Sequence, residues 1–365
     1  MTAVAGDGAR RLPRLGRGAL AIAACGAIAL AAGLTALSAG AANLSLGTVL
    51  TTLSAGMSGT RDTVDAGAAA ILLDIRLPRV LLALMVGACL AVSGAILQGL
   101  FRNPLADPGL VGVSSGAALG AISVIVLGVH AAPILPEALM RHFLPIAAFV
   151  GGAISTFLVY RLSTVAGRTS MATMLLTGIA LAALTGAMTG ILTYLSTDQQ
   201  LRELTFWSMG GLSGATWDKV RVALPFMAPA FCAAPFLASA LDRLALGESE
   251  AFHLGVRVQT VKRVAILVIA AGVGAAVSVS GIVGFVGLVA PHLVRLAVGP
   301  GHRTLLPAAA LLGAGLLAFA DLAARTIVAP AELPLGIVTA LIGAPFFLYL
   351  LLPVSYTHLT LPTKA

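Results

Sequence analysis

The feature of this chain that most restricts its fold is a series of long apolar runs. The run from Val80 to Phe101 contains no charged residue, and about 20 apolar residues suffice for a helix to cross a bilayer. Only 10% of the 365 residues are charged, whereas a soluble protein carries about 25%. This shortage of charge disfavours the alternative, a large soluble protein with buried helices. We therefore predict an all-α polytopic membrane protein.

Ten apolar segments are candidate membrane spans. They cover residues 18–39, 79–101, 110–129, 143–162, 171–195, 221–240, 263–281, 284–298, 304–328 and 335–353. An even number of spans places both termini on one side of the membrane. The segments that this topology places in the cytoplasm hold 13 basic residues, against 8 outside, as the positive-inside rule requires. We predict a cytoplasmic segment at 1–17, a single transmembrane domain at 18–353, and both termini in the cytoplasm.

The first span allows two interpretations. Four arginines within residues 10–17 precede the apolar run, and the small residues at 38–42 resemble a signal-peptide cleavage site. The run is longer than the apolar core of a signal peptide, which has about 7–15 residues. We favour an uncleaved membrane helix over a cleaved signal peptide.

Several function classes are excluded by what the sequence lacks. The net charge of +8 comes from basic residues scattered between apolar runs, so it does not indicate a nucleic-acid surface. The three cysteines lie in apolar runs without metal-ligand spacing. The chain has no P-loop motif, so it cannot hold ATP by that route. We predict no catalytic site, no metal site and no cofactor bound by this chain.

One stretch of the chain resembles a known family. The run that ends at Phe101 is followed by RNPLADPG, in which two prolines each remove a backbone donor and end the helix. With the flanking motifs RLPR at 76–79 and GVSSG at 112–116, this stretch closely resembles the FecCD-type permeases. These are the membrane subunits of ABC importers for ferric siderophores, heme and cobalamin. The resemblance covers about residues 16–353 and implies a type II ABC importer permease fold of about ten transmembrane helices. Residues 354–365 have no family counterpart and look like a translated cloning remnant.

The resemblance assigns roles to three groups of residues. It implies a motif turn with a role in gating, formed by Asn103, Pro104, Asp107, Pro108, Gly109, Ser114 and Ser115. It implies a coupling loop at about 242–258 that contacts the ATPase subunit through Leu246, Gly247, Glu248, Ala251, Phe252, Leu254 and Gly255. It also implies that a soluble binding protein docks through its acidic residues onto Arg76, Arg79 and Arg325.

Local patterns allow other interpretations of these groups. Phe252 and Val256 are four residues apart, which suits a short amphipathic helix, and such a helix could instead lie on the lipid surface. Asp321 and Arg325 are also four apart, a favourable pairing. Arg325 could therefore serve only that pair while the other two arginines anchor lipid headgroups. Relatives carry an acid where this chain has Gly301, so we predict that the helix beginning there lacks that cap.

The segments 167–176 and 198–210 most resemble the hemin branch of the family. We therefore predict a heme importer permease of the bacterial cytoplasmic membrane, with ferric siderophore second and cobalamin third. The resemblance implies these partners: an ABC ATPase subunit that uses the ATP, an extracytoplasmic binding protein, a second permease protomer, the heme or iron-chelate substrate, and the lipid bilayer. The hemin branch implies that the second protomer is identical, and the sequence leaves a heterodimer open. A secondary transporter is the competing class, but it needs intramembrane acids. Only Asp321 comes near, and Arg325 can neutralise it.

Overall fold

The structure is a computed structural model that describes residues 16–40, 42–131 and 136–351. The first 15 residues and the predicted non-native tail at 354–365 lie outside the described residues. The helices are α1 (Arg17–Ser38), α2 (Leu46–Ser58), α3 (Ala66–Ala69), α4 (Leu77–Phe101), α5 (Val113–Ala131), α6 (Glu137–Leu162), α7 (Met171–Tyr194), α8 (Asp198–Ser208), α9 (Trp217–Leu244), α10 (Glu248–His253), α11 (Val258–Ser280), α12 (Val286–Val298), α13 (His302–Thr326) and α14 (Leu335–Leu351). Two short strands, β1 (Thr164–Val165) and β2 (Arg168–Thr169), pair antiparallel as a hairpin between α6 and α7.

The apolar helices coincide with the ten predicted spans. Among the described residues, seven helical segments are long and apolar enough to cross a membrane, and three shorter apolar helices lie at 113–128, 286–298 and 335–349. The second span begins earlier than predicted, because the helix runs unbroken from Ala66 to Phe101. A π-helical turn at Ala70–Arg76 precedes Pro78. The π-helical turn changes the spacing of the backbone hydrogen bonds just before Pro78, which has no amide proton to donate.

Helix α4 forms the centre of the bundle and packs against α9, α11, α12 and α13. Glycines make the closest of these contacts. A Cβ atom built on Gly94 would lie 1.8 Å from the carbonyl oxygen of Gly287 in α12, and one on Gly87 would lie 2.2 Å from that of Gly313 in α13. Larger side chains would hold these backbones apart, so the small residues set the helix spacing.

The antiparallel packing of α4 and α13 defines two ends of the molecule. At one end, α13 begins with His302 against Gly99, near the end of α4. We call this the α10 end, because α10 and the β1–β2 hairpin also lie there. At the other end, Arg79 of α4 contacts Asp321 of α13, and we call it the Arg79 end.

Two helices were not expected from hydropathy. Helices α2 and α8 have 13 and 11 residues, too few to span a bilayer. Both begin at capping residues. The Ser45 hydroxyl accepts a hydrogen bond from the Thr48 amide, and Thr197 and Gln200 form a reciprocal capping box. Such a box is visible in a sequence as Thr-x-x-Gln, so a search for caps would have found α8.

Candidate functional sites at the two ends of the bundle

The Arg79 end carries a buried ion-pair network. Arg79 donates through Nε and Nη2 to the Asp321 carboxylate at 2.9–3.1 Å, and through Nη1 and Nη2 to Glu332 at 2.8 and 3.0 Å. The predicted pair of Asp321 with Arg325 exists, but at 3.8 Å it is not the principal one. The planar fork of Arg79 reaches the carboxylate from a neighbouring helix and engages both oxygens. Hydrogen bonding from Arg79 also lowers the pKa of Glu332.

The other two arginines at this end hold the C-terminus of α1. Arg76 donates through Nη1 to the carbonyl oxygens of Leu37 and Ser38 at 2.7 and 2.8 Å. Arg325 donates to the carbonyl oxygen of Ala36. The last carbonyls of a helix lack partners within the helix and carry partial negative charge, so cations suit this position. This internal role was missed from the sequence, because it joins residues almost 40 and 300 positions apart.

The burial and contacts of these arginines affect both interpretations, docking of a binding protein and anchoring to lipid headgroups. Arg76 is buried, so in this conformation it presents no guanidinium to a lipid headgroup or to a docking carboxylate. Docking of a binding protein onto Arg76, Arg79 and Arg325 stays a prediction. The structure adds that their guanidinium groups already have partners within the chain, so a docking carboxylate would have to share or displace those partners.

At the opposite end, α10 is a single short helix with a well-defined stop. Gly255 adopts φ = +82°, the left-handed conformation that favours glycine. The amides of Gly255 and Val256 donate to the carbonyl oxygens of Phe252 and Ala251, both at 2.9 Å, which is a Schellman motif. Because the helix ends at His253, Val256 does not extend the face of Phe252. Phe252 is 69% exposed and Val256 is 6% exposed, so the predicted amphipathic pair is wrong.

An apolar surface surrounds α10 nevertheless. Leu246, Phe252 and Leu254 are all exposed, whereas Ala251 is fully buried. Gly247 precedes the helix at φ = +130° and lies close to the Glu250 carboxylate. Large apolar side chains exposed together are typical of a surface that contacts another protein.

A buried lysine connects α10 to the rest of the bundle. Lys262 of α11 is 1% exposed. Its Nζ donates to Glu248 of α10 at 2.6 Å and to the carbonyl oxygen of Thr169 in β2 at 2.7 Å. The side chain of Gln259 accepts a hydrogen bond from the Thr169 amide at 3.0 Å. One turn of α11 therefore holds both α10 and the hairpin. In the sequence, Lys262 is one of the 13 basic residues that the predicted topology places in the cytoplasm, and nothing there indicates a buried position.

The predicted motif turn joins α4 to α5 at this same end. Asn103 and Asp107 each accept a hydrogen bond through Oδ1 from the backbone amide two residues ahead, at 2.9 and 2.8 Å. Ser115 donates to the carbonyl oxygen three residues earlier at 3.2 Å. The ring of Pro108 lies against Gly287 at the start of α12. The turn is built as predicted, and its role in gating stays a prediction.

The N-terminus of α13 is capped, although no acid precedes it in the sequence. Asp242 accepts a hydrogen bond from the His302 amide at 2.9 Å, and its carboxylate lies 2.7 Å from His302 Nδ1. Gly301 provides no side-chain cap, as predicted, and an acid of α9, 60 residues earlier in the chain, caps the helix instead. Among residues 16–40, 42–131 and 136–351, no three His, Cys, Asp or Glu side chains are grouped closely enough to hold a metal ion.

Comparison with known proteins covers nearly the whole chain. The model of the FecCD transport family matches residues 28–353. The hemin transport system permease protein HmuU of Yersinia pestis is 51% identical over 282 residues, which are 77% of this chain and 83% of that protein. The cobalamin import system permease protein BtuC of Halobacterium salinarum is 47% identical over 277 residues, which are 76% of this chain and 72% of that protein.

A solved structure agrees with these matches. It is described as an inward-facing conformation of a metal-chelate type ABC transporter, and it superposes with a TM-score of 0.74 at 33% identity, covering 91% of this chain and 98% of the other. The all-α polytopic architecture is thus the type II ABC importer permease fold, in a multi-pass protein of the bacterial inner membrane. The chain therefore belongs to the FecCD transport family and is an ABC importer permease.

Proposed function

We propose that this chain is the permease subunit of an importer that moves heme across the bacterial cytoplasmic membrane, driven by a separate ATPase subunit. The observation that carries the proposal is the 51% identity to the hemin permease of Yersinia pestis. The cobalamin permease of Halobacterium salinarum is 47% identical over a similar length, and cobalamin permeases of several bacteria are 41–44% identical. Cobalamin is therefore the second candidate, ahead of a ferric siderophore. A secondary transporter receives no support, because Asp321 is paired with Arg79.

We place the two soluble partners at opposite ends of the bundle. The exposed apolar surface of Leu246, Phe252 and Leu254 supports contact with the ATPase subunit at the α10 end. The extracytoplasmic binding protein then docks at the Arg79 end, and both termini are cytoplasmic. A second, identical protomer completes the proposed assembly. Helix α7 has few buried residues along its length, so it is available to contact either that protomer or lipid.

The test is transport by the reconstituted complex. The permease, its cognate ATPase and its binding protein are placed in proteoliposomes, and uptake of heme, cobalamin and a ferric siderophore is measured in parallel. We expect heme uptake to be fastest and to require ATP. Preferred uptake of cobalamin would reverse the assignment of substrate. Uptake without the ATPase subunit would contradict the proposed energy source.

The variant Gly255→Pro tests the coupling role in the same assay. Proline cannot adopt φ = +82°, so the Schellman stop of α10 is lost. We expect normal insertion and continued ATP hydrolysis with little transport. Transport at the wild-type rate would remove the coupling role from α10.

A further inference from the structure

A groove of about 890 Å³ opens beside α10 at the end of the bundle. Its walls come from α10, the β1–β2 hairpin and the first turns of α7 and α11. The exposed side chain of Phe252 in α10 lines one wall. The groove is therefore continuous with the apolar surface assigned to the ATPase subunit.

Three arginines from different parts of the chain line this groove and favour an acidic partner. Arg102 lies at the C-cap of α4, Arg168 lies in β2, and Arg257 directly precedes α11. All three line the groove and are exposed. Within the described part of the chain, none of the three has a carboxylate within 4.0 Å.

The single acid among the lining residues does not balance these charges. Glu248 is held at 2.6 Å by Lys262, and that lysine is buried beneath the groove with Thr169 as its other partner. The ion pair has no net charge, so the three arginines leave about three uncompensated positive charges. Lys262 also keeps the two walls, α10 and β2, in a fixed relation to α11.

We infer that this groove binds an acidic segment of the ATPase subunit, whose carboxylates lie between Arg102, Arg168 and Arg257 while Phe252 packs against the same subunit. The inference rests on the coupling role proposed for α10 and adds the chemistry of its partner. The planar fork of arginine suits a carboxylate. A lipid phosphate is the competing ligand, because Arg168 and Arg257 lie just outside helices that are long enough to span the membrane. The exposed aromatic side chain of Phe252 on the groove wall favours a protein segment.

To test this inference, the affinity of the purified ATPase subunit is measured for the full-length permease in nanodiscs of neutral phosphatidylcholine. We expect wild-type affinity to fall as salt rises. The triple variant Arg102→Glu, Arg168→Glu, Arg257→Glu should weaken binding by at least about tenfold at low salt. The single variant Arg168→Gln, which perturbs folding less, should weaken it by a smaller factor. Arg303→Glu is the matched control, because Arg303 is exposed near the same end and does not line the groove.

The variant Phe252→Ala separates the groove from the coupling role on which it rests. Loss of affinity in Phe252→Ala with unchanged affinity in the arginine variants would overturn the groove and keep the coupling role. Unchanged affinity in all of them would overturn both. An arginine effect that appears only when anionic lipid is added would assign the groove to lipid headgroups and overturn the inference.

Discussion

The buried network at the Arg79 end makes a quantitative prediction about the variant Asp321→Asn. Asparagine keeps the volume of the side chain but removes its charge. Asp321 is 2% exposed and accepts hydrogen bonds from Arg79, with Arg325 at 3.8 Å. After the change, Glu332 is the remaining carboxylate beside Arg79, and its side chain is 38% exposed.

Replacing Asp321 and replacing Glu332 should lower the free energy of unfolding by different amounts, because the two acids differ in burial. Removing one partner of a buried ion pair leaves an uncompensated charge and costs about 3–5 kcal/mol. We expect Asp321→Asn to lie near 3 kcal/mol, because Glu332 still partly compensates Arg79. Glu332→Gln removes a half-exposed partner and should cost about 1 kcal/mol or less. The double variant should lose more than the sum, because Arg79 then has neither carboxylate.

The free energy of unfolding in mixed detergent micelles, titrated with a denaturing detergent, measures these differences. The paired apolar replacement Arg79→Met with Asp321→Leu is the control, because it removes both charges together and should recover much of the loss. Equal destabilisation by Asp321→Asn and Glu332→Gln would refute the assignment of Asp321 as the buried centre of the network. So would a paired replacement less stable than Asp321→Asn.

Three further predictions concern other contacts of the bundle; the first and third use the same micelles, and the second uses the proteoliposome transport assay. Gly94→Ala should lower the unfolding free energy by about 1–3 kcal/mol, because its Cβ meets a carbonyl oxygen at 1.8 Å, whereas Gly26→Ala, with its nearest neighbour at 3.7 Å, should change little. Lys262→Met leaves its carboxylate partner in α10 unpaired, so it should raise the number of ATP molecules hydrolysed per substrate transported. An unchanged ratio would contradict the role of this lysine in connecting α10 to the bundle. The lowered pKa of Glu332 gives stability that is present above its ordinary pKa of 4.5 and is lost as the pH falls through the folded-state value. Glu332→Gln should therefore reduce the acid sensitivity of unfolding, and an identical pH profile would argue against the pairing with Arg79.

The sequence predicted the membrane spans because that information is local. A helix in lipid satisfies its own backbone hydrogen bonds, so apolar length alone indicates a span. The motif turn was equally predictable, since the prolines and the Asx turns at Asn103 and Asp107 act on neighbouring residues. Family membership followed from the same motifs, because their order and spacing can be read from the chain directly.

The partners of the charged residues could not be predicted in this way. Asp321 takes its main ion pair from Arg79, 242 residues away, although Arg325 lies four residues away on its own helix. The α13 cap comes from Asp242, and α10 is held by Lys262. The sequence by itself determined which segments are apolar enough to be helices in lipid, and the family to which the chain belongs. Only the tertiary structure decided which helix faces meet, because hydropathy measures the polarity of a residue and carries no information on its distant neighbours.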